Sequence, residues 1–305
     1  MKWTKYCGTA AKAGGNGENK RRPLVMEVPC LLKSTEKSRQ SRTRTHWRQP
    51  PPTDKPRRVI ERQNYFDIGH YTEEMVRNSV AGYYGFVSYS DDCVGRVLRQ
   101  LDAQGLRDNT LIVYASDHGE NLYHHGLCEK HTFYDDAVRV PLILSCPGVL
   151  PVGQRTQFLA SIMDILPTAL AINDVPLPDS VEGVDLRPAC NGQELHEHVF
   201  AEYYLSLDPS RMVRDQRWKY IYTEHDICEL YDLANDPDET INLAWYPQYR
   251  ERVEAMDRIV KDDWEMPKVP LWGTWNDLNM RKQRQRLAGV DIIDTRPRPD
   301  WLQEA

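Results

Sequence analysis

The stretch NTLIVYASDHGE, residues 109–120, contains a short apolar run followed directly by an Asp and a His. The apolar part is rich in β-branched and aromatic residues and is bounded by polar ones, which predicts a buried strand over 109–116. Asp117 and His118 then lie just beyond the carboxyl end of that strand. Because open parallel sheets bind ligands beyond the carboxyl ends of their strands, this position predicts a functional site.

Further helices and strands are predicted on both sides of this stretch. Apolar residues recur at a spacing of three and four over 73–104, which predicts a long helix that ends at Gly105. Its expected buried stripe consists of Val76, Val80, Tyr83, Tyr84, Val87, Val94, Val97, Leu98 and Leu101. A second strand is predicted over 140–147, and a helix that starts or is interrupted near Pro167 over 161–174. This order of elements predicts an α/β fold.

The residues after about 195 show a different pattern. Two β-rich segments flank the polar turn RDQR within 211–223, and turn residues follow in CELYDLANDPDE (228–239), which together predict a small antiparallel sheet. An amphipathic pattern over 246–266 predicts a helix that covers this sheet. We therefore divide the chain into a basic, disordered leader (1–58), a partial α/β core (59–195), a C-terminal subdomain (196–266) and an extended tail (267–305).

Charge is distributed unevenly along the 305 residues. Residues 1–58 have 15 Lys and Arg against 4 Asp and Glu, a net charge of +11, whereas the whole chain has −6. Gly, Ser and Pro throughout that segment favour a disordered extension over a nucleic-acid-binding arm. The longest apolar runs are broken by Pro and Gly, so we expect no membrane span. No apolar segment of signal-peptide length opens the chain, and the compartment is not predicted.

The loop after the Asp-His pair is rich in groups that bind cations and anions. The pair offers one carboxylate oxygen and one imidazole nitrogen to a divalent cation, a donor set that suits zinc, manganese or iron better than calcium. Lys130 can neutralise an oxygen of a sulfate or phosphate ester. His124, His125 and His131 can each donate to an anion, although hydrogen bonding within a polar loop is the more common role.

Two other patterns do not predict sites. Asp91 and Asp92 lie within the long predicted helix, where adjacent side chains point about 100° apart, so they are not expected to chelate one ion together. The seven cysteines include no CxxC pair, which argues against a zinc knuckle and against a disulfide framework.

Several ordered blocks resemble the C-terminal half of type I sulfatases, within the alkaline phosphatase superfamily. Besides the residues around SDHGE, they are KHTFYDDAVRVPLILSCPG, MDILPTAL and ELYDLANDPDETINLA, and the resemblance runs from about Tyr65 to about Met266. It implies an incomplete alkaline-phosphatase-like α/β sheet with flanking helices, plus a small C-terminal antiparallel sheet and helix. It also implies metal-assisted hydrolysis of a small-molecule or glycan sulfate ester.

The resemblance assigns roles to individual residues as well. Asp117 and His118 are implied as ligands of a divalent metal ion, most often calcium in this family. Lys130 is implied as a contact to the sulfate, with the adjacent His131 as a second candidate catalytic residue. Asp135 stands where the family often has Glu.

The N-terminal part of the family's active site has no match in this sequence. The family's nucleophile is a formylglycine made from the Cys or Ser of a [CS]-x-[PA]-[ST]-R block, and no such block occurs here. The family's paired aspartates and its other sulfate-binding Lys, His and Arg residues are also missing. We therefore expect an N-terminally truncated sulfatase, whose open sheet edge and apolar helix faces favour self-association.

Two other functions stay open at this point. A phosphodiesterase or phosphonate monoester hydrolase of the same superfamily would share the Asp-His block and need similar oxyanion stabilisation, although the KHTFY setting of Lys130 favours a sulfatase. Alternatively, the chain is a non-catalytic remnant that acts as a binding protein, in which segment 1–58 contacts an acidic partner.

Overall fold

A computed structural model describes residues 24–26, 54–66, 68–203, 209–224, 226–262 and 264, with the backbone alone at 24–26. The chain divides into two compact units, one that includes 72–118 and 139–197 and one that includes 34–71, 119–138 and 198–305. The predicted tail (267–305) and most of the predicted leader (1–58) lie outside the described residues.

The helices are α1 (Arg57–Phe66), α2 (Glu73–Ala103), α3 (Asp135–Val138), α4 (Ile165–Ile172) and α5 (Arg250–Lys261). The strands are β1 (Leu24–Met26), β2 (Ile112–Ala115), β3 (Leu142–Ser145), β4 (Arg155–Thr156), β5 (Val199–Tyr203), β6 (Ser210–Arg214), β7 (Trp218–Thr223) and β8 (Glu229–Asp232). Short 3-10 helices lie at Ile68–His70, Arg107–Asn109, His124–Gly126, Ile162–Asp164, Arg187–Asn191, Leu243–Trp245 and Pro247–Tyr249. The α/β fold predicted from the sequence is confirmed.

The sheet of the first unit has the strand order β2-β3-β1-β4. β2 pairs antiparallel with β3, which places Val113 opposite Leu144. This differs from the parallel sheet on which the prediction of a site beyond the strand ends depends, because the connection between β2 and β3 contains only a short 3-10 helix and the four-residue helix α3, and no crossover helix. β1 pairs antiparallel with β3 and parallel with β4, so the segment predicted as a disordered leader contributes a strand at Leu24–Met26.

The core of the first unit packs around β3 and α4. Its buried residues are Leu142, Leu144, Leu150, Ala160, Leu186 and Ala189. The carboxylate of Asp164, just before α4, accepts hydrogen bonds from the backbone N–H groups of Ser161 (2.7 Å) and Val184 (2.9 Å). Pro167 lies in the first turn of α4. Backbone N–H groups in the first turn have no acceptor within the helix, so proline, which lacks this group, costs no helical hydrogen bond there.

The long helix α2 is confirmed, with signals at both ends that explain its bounds. The side chain of Thr72 accepts a hydrogen bond from the backbone N–H of Met75, and Gly105 has a left-handed backbone just past the end. The predicted stripe is buried at Val76, Val80 and Leu98. It is exposed at Tyr83, Tyr84 and Val97, so the prediction of one continuous buried face is wrong.

The second unit is built on an antiparallel sheet of strand order β5-β6-β7-β8, as predicted. Residues of α5 and one sheet face form a buried cluster that includes Val213, Tyr220, Leu230, Val253 and Met256, which confirms that this helix covers the sheet. Residues of the opposite face pack with α1 and with the 119–138 loop, in a cluster of Val59, Leu127, Phe133, Tyr134, Met212, Ile221 and Tyr231. Since successive strand residues point to opposite faces, both faces of this sheet are covered.

None of the helices in the described part of the chain combines the length and the apolar character that a membrane span requires.

A buried ion pair lies between the sheet of the second unit and the residues before α1. The ammonium of Lys55 donates to Tyr231 Oη and to the carbonyl oxygen of Glu239 (2.9 Å), and it lies 3.9 Å from Glu229 Oε2. Glu229 Oε2 also accepts from the hydroxyls of Tyr134 (2.8 Å) and Tyr231 (2.5 Å). Burial lowers the pKa of Lys55, and the negative charge of Glu229 opposes this effect and favours the charged ammonium form.

Substitution of Lys55 by Ala should destabilise the protein by about 3–5 kcal/mol, because Glu229 would stay buried without the ammonium that lies 3.9 Å from its carboxylate. Urea unfolding at pH 7 measures the change. The control is Lys261→Ala, which removes an exposed pair with Asp257 (2.8 Å) and is expected to cost below about 0.5 kcal/mol. Equal effects of the two substitutions would contradict a structural role for the buried pair.

Candidate active site

Asp117 and His118 lie just beyond the carboxyl end of β2 in the first unit, as predicted, with Ser116 between them and the strand. The carboxylate of Asp117 accepts the backbone N–H of His118 (2.9 Å), and the side chain of Ser116 donates to the carbonyl oxygen of His118 (2.8 Å). His118 Nε2 lies 3.6 Å from Asp117 Oδ2, and the Asp117 side chain is 83% exposed. These two side chains thus offer one carboxylate and one imidazole to solvent on a backbone fixed by local hydrogen bonds.

The 119–138 loop in the second unit is closed on itself by backbone hydrogen bonds. The N–H of Gly119 donates to the carbonyl oxygen of Ala137 (2.7 Å), and that of Glu120 donates to Asp136 (2.9 Å). Further along the loop, the N–H of Asn121 donates to Glu129 (2.8 Å). Gly119 has to be glycine here, because a Cβ atom would lie 1.9 Å from the carbonyl oxygen of Asp136.

The loop holds an unusual number of non-glycine residues in the left-handed region. They are Leu122 (φ 46°), Tyr123 (φ 71°), His125 (φ 54°), Glu129 (φ 63°) and His131 (φ 84°). Each such conformation costs free energy for a residue with a Cβ atom and persists only where surrounding contacts enforce it. Strain of this kind is concentrated at binding and catalytic sites, which makes this loop a candidate site.

The predicted sulfate contact Lys130 lies between two of these strained residues and is half-buried. The ring of its neighbour His131 is held on both sides. His131 Nδ1 lies 2.7 Å from the hydroxyl of Tyr203, and His131 Nε2 lies 3.6 Å from the Glu129 carboxylate. Its side chain is therefore oriented by residues from β5 and from the loop itself.

The loop also brings together three potential metal ligands that the sequence did not predict as a group. His124, His125 and Asp136 each offer one ligand atom, and these atoms lie within 4.8 Å of one another. His124 Nδ1 is hydrogen-bonded to Asp136 Oδ2. Burial lowers the pKa of His124, but the hydrogen bond to Asp136 and the negative charges of Asp136, Asp238 and Glu239 raise it above the ordinary value.

Asp135, at the position where the resemblance implies Glu, belongs to a buried ion cluster. Its carboxylate accepts from Arg214 (2.8 Å) and Lys219 (2.5 Å), and its backbone N–H donates to Glu239 Oε2 (2.6 Å). Lys219 also lies 2.7 Å from Glu239 Oε1. Burial raises the pKa of Glu239 to about 7, despite the opposing effect of the Lys219 ammonium. Asp135 thus anchors the loop to β6 and β7.

Four of the five cysteines among the described residues do not have the properties of activated nucleophiles. Burial raises the pKa of Cys128 and of Cys228 to about 11. It also raises the pKa of Cys146 and Cys190. Because the thiolate is the reactive form, these four thiols are poor nucleophiles at neutral pH.

Comparison with known proteins identifies the family. The family model described as Sulfatase matches residues 17–175, and the model for the C-terminal part of N-sulphoglucosamine sulphohydrolase matches residues 123–264. The chain belongs to the sulfatase family. The first match begins at residue 17, well before the start at about Tyr65 that we inferred from the sequence.

Individual sulfatases and one related hydrolase match parts of the chain. Choline-sulfatase from Rhizobium meliloti (strain 1021) is 37% identical over 188 residues, which are 60% of this chain and 36% of that protein. Delta 4,5-hexuronate-2-O-sulfatase from Bacteroides thetaiotaomicron is 32% identical over 206 residues, which are 64% of this chain and 43% of that protein. The crystal structure of a phosphonate monoester hydrolase from Agrobacterium radiobacter superposes with a TM-score of 0.59 at 28% identity, over 64% of this chain and 42% of that one. This sulfatase chain therefore spans less than half the length of these relatives.

Gly119→Ala should destabilise the protein by about 1–3 kcal/mol, because its Cβ atom would push the backbone of Asp136 away and break the closure of the loop. Urea unfolding measures the loss. The matched control is Gly82→Ala in the exposed middle of α2, where the added Cβ meets no atom within 4 Å apart from the neighbouring helix backbone. That substitution is expected to stabilise by about 0.5–1 kcal/mol through helix propensity. A similar response at both glycines would contradict the close packing at Gly119.

Glu239 should make stability fall as the pH rises from about 4.5 to about 7. Its folded pKa of about 7 exceeds the ordinary value of 4.5, so the unfolded chain ionises first and the fold is favoured less at higher pH. Relative to Glu239→Gln, the wild type should lose on the order of 3 kcal/mol across this range. Urea unfolding of both proteins at pH 5, 6, 7 and 8 measures the difference.

Glu254→Gln on the exposed side of α5 is the control for this titration and should follow the wild type at each pH. A difference between wild type and Glu239→Gln that does not change with pH would show that Glu239 is ionised in the fold throughout the range.

Proposed function

We propose that this chain functions in the metal-assisted hydrolysis of a sulfate ester. Lys130 contacts the sulfate, His131 is a second contact, and Asp117 and His118 are ligands of a divalent metal ion. The observation that carries the proposal is the pair of sulfatase family matches, which together extend from residue 17 to residue 264 and include all four residues.

The surroundings of Lys130 support its role as a sulfate contact. The backbone on both sides of it is left-handed, which fixes the direction in which the side chain leaves the loop. A positive charge held in place before the substrate arrives stabilises a developing negative charge without reorganisation during the reaction. The ring of His131, oriented by Tyr203, presents a second polar group next to it.

The metal ligands of this chain fit a divalent ion only in part. The exposed carboxylate of Asp117 suits calcium, the ion that the sulfatase resemblance implies, whereas the imidazole of His118 suits softer ions better. Calcium takes about six to eight oxygen ligands, so these two residues would supply the smaller share of its coordination. When bound, the ion would withdraw electrons from an ester oxygen and favour cleavage of the bond to sulfur.

The residues of this chain do not fit the formylglycine nucleophile of the family. The 305 residues contain no [CS]-x-[PA]-[ST]-R block. The raised pKa values of four described thiols also argue against a cysteine that attacks the ester directly. We therefore assign the described residues to substrate and metal binding.

We propose a small-molecule or glycan sulfate ester as the substrate class. Two of the relatives support this range, since one is named for choline sulfate and the other for a sulfated hexuronate. A phosphonate monoester or phosphate diester is the second candidate, favoured by the likeness to the phosphonate monoester hydrolase structure. A lysine and a divalent ion stabilise the oxyanions of both ester classes.

Calorimetric titration with inorganic sulfate, in the presence and absence of calcium, tests these roles. We expect calcium-dependent binding to the wild type, at least tenfold weaker affinity for Lys130→Gln, and loss of the calcium dependence in Asp117→Asn. A tenfold loss corresponds to about 1.4 kcal/mol, typical of one charge-assisted contact. Lys261→Gln, which removes an exposed lysine on α5, is the matched control and should bind as the wild type does.

Sulfate affinity that is the same in Lys130→Gln and the wild type would remove Lys130 from the site. Tighter binding of methylphosphonate than of sulfate would favour the second candidate function. Hydrolysis of an aryl sulfate by the chain at an ordinary enzymic rate would show that it contains a nucleophile that we have not identified.

A further inference from the structure

His124, His125 and Asp136 have the geometry of a metal site. Within the part of the chain that the structure describes, they form the one group of three His, Cys, Asp or Glu residues with ligand atoms within 4.8 Å of one another. The predicted metal ligands Asp117 and His118 are not members of this group.

The donor atoms determine which ion such a group prefers. Two imidazoles and one carboxylate suit zinc and neighbouring transition metals, whereas calcium and magnesium prefer oxygen alone. Zinc sites with three protein ligands of this type keep a fourth position for water. Ligand atoms about 2.0–2.2 Å from a tetrahedral zinc ion lie about 3.4 Å apart, so the group needs only small side-chain adjustments to close on an ion.

The three side chains are already held close to the required arrangement. The ring of His125 is buried and packs at a tilt against the ring of His124 (centroids 4.0 Å apart) and against that of Tyr134 (4.2 Å). The backbone of His125 is left-handed (φ 54°), and the ligand atoms of His124 and His125 lie within 4.8 Å of each other. The backbone of Asp136 is fixed by the N–H of Glu120, which donates to its carbonyl oxygen. Little conformational entropy is left to lose when an ion binds.

Negative charge near the group favours a cation. Asp136 is in direct contact with His124, and Asp238 and Glu239 act on the same imidazole electrostatically. A divalent ion bound by two neutral imidazoles and one carboxylate keeps a net positive charge, which the nearby Asp238 carboxylate would stabilise.

We propose that His124, His125 and Asp136 bind a divalent ion of the zinc type. The inference does not rest on the proposed function, because it requires neither sulfate binding nor turnover. The ion would cross-link the beginning of the 119–138 loop to its end, and that loop carries Lys130. Occupancy would add a further cross-link to a loop whose ends are already joined by backbone hydrogen bonds.

The simplest competing explanation is that the hydrogen bond between His124 and Asp136 serves the fold alone, without any ion. Both explanations predict that substitution of either residue destabilises the protein. Only the metal site predicts stoichiometric binding that depends on these residues, so the test has to measure bound ion.

The experiment is zinc titration of the whole 305-residue chain after removal of metals with EDTA, by calorimetry and by competition with a chromogenic chelator. Cobalt(II) serves as a second probe, since its visible absorption reports nitrogen and oxygen ligands at low coordination number. His124→Gln and Asp136→Asn are the test variants, and circular dichroism verifies that they fold. His70→Gln replaces an exposed histidine of the same unit and is the matched control.

We expect one zinc equivalent in the wild type and in His70→Gln, with at least tenfold weaker affinity in both test variants. Zinc should also raise the melting temperature of the wild type but not that of His124→Gln. Absence of zinc binding to the wild type, or equal binding to wild type and both test variants, would overturn the proposal. Loss of the zinc equivalent in His118→Gln, with His124→Gln unaffected, would overturn it as well.

Discussion

A carboxylate buried among aromatic rings has to be paired, and this requirement organises the second unit around Glu229. Its partners come from different parts of the chain: Tyr134 from the 119–138 loop, Tyr231 from β8 and Lys55 from the residues before α1. One buried negative charge thus ties three segments to the same point. Removal of one partner leaves the Glu229 carboxylate buried with fewer contacts that compensate its charge. Buried ion pairs are sensitive to single substitutions for this reason.

The loop with the candidate functional residues depends on this arrangement. Tyr134 connects the buried carboxylate to the ring of His125, and Asp135 connects the next position to Arg214 and Lys219. Two consecutive residues of the loop, Tyr134 and Asp135, are therefore held by contacts with the sheet of the second unit. The strained backbone between Leu122 and His131 persists because these contacts enforce it. Rigidity in the loop is a property of the sheet beneath it as much as of its own sequence.

Sequence reasoning succeeded where a structure depends on residues close together in the chain. The strand that precedes Asp117, the helix start near Pro167 and the turn at 214–217 all follow from local apolar patterns or turn residues. In the turn, Asp215 accepts from the N–H groups of Arg217 and Trp218, a local motif that its sequence indicates.

It failed where the outcome depends on distant residues. A spacing rule cannot tell that Lys55, in a basic segment, is buried against Glu229, or that Tyr83 faces solvent on α2. The pairing of His124 with Asp136 joins positions twelve residues apart through backbone contacts that no periodicity describes. Whether β3 pairs parallel or antiparallel with β2 likewise depends on the path of the chain between the two strands. In each case tertiary contacts, and not local propensity, decide the result.

The left-handed residues of the loop have a consequence for laboratory evolution. Glycine adopts such conformations without the steric cost that a Cβ atom imposes, roughly 1–2 kcal/mol for each residue. Selection of loop libraries for thermal tolerance alone would therefore enrich glycine at 122, 123, 125, 129 and 131. The side chains now at these positions include two histidines, a tyrosine and a glutamate, which are expensive to keep there. If such a library retained one of these side chains, its contacts would contribute more to stability than glycine gains by removing the backbone strain at that position.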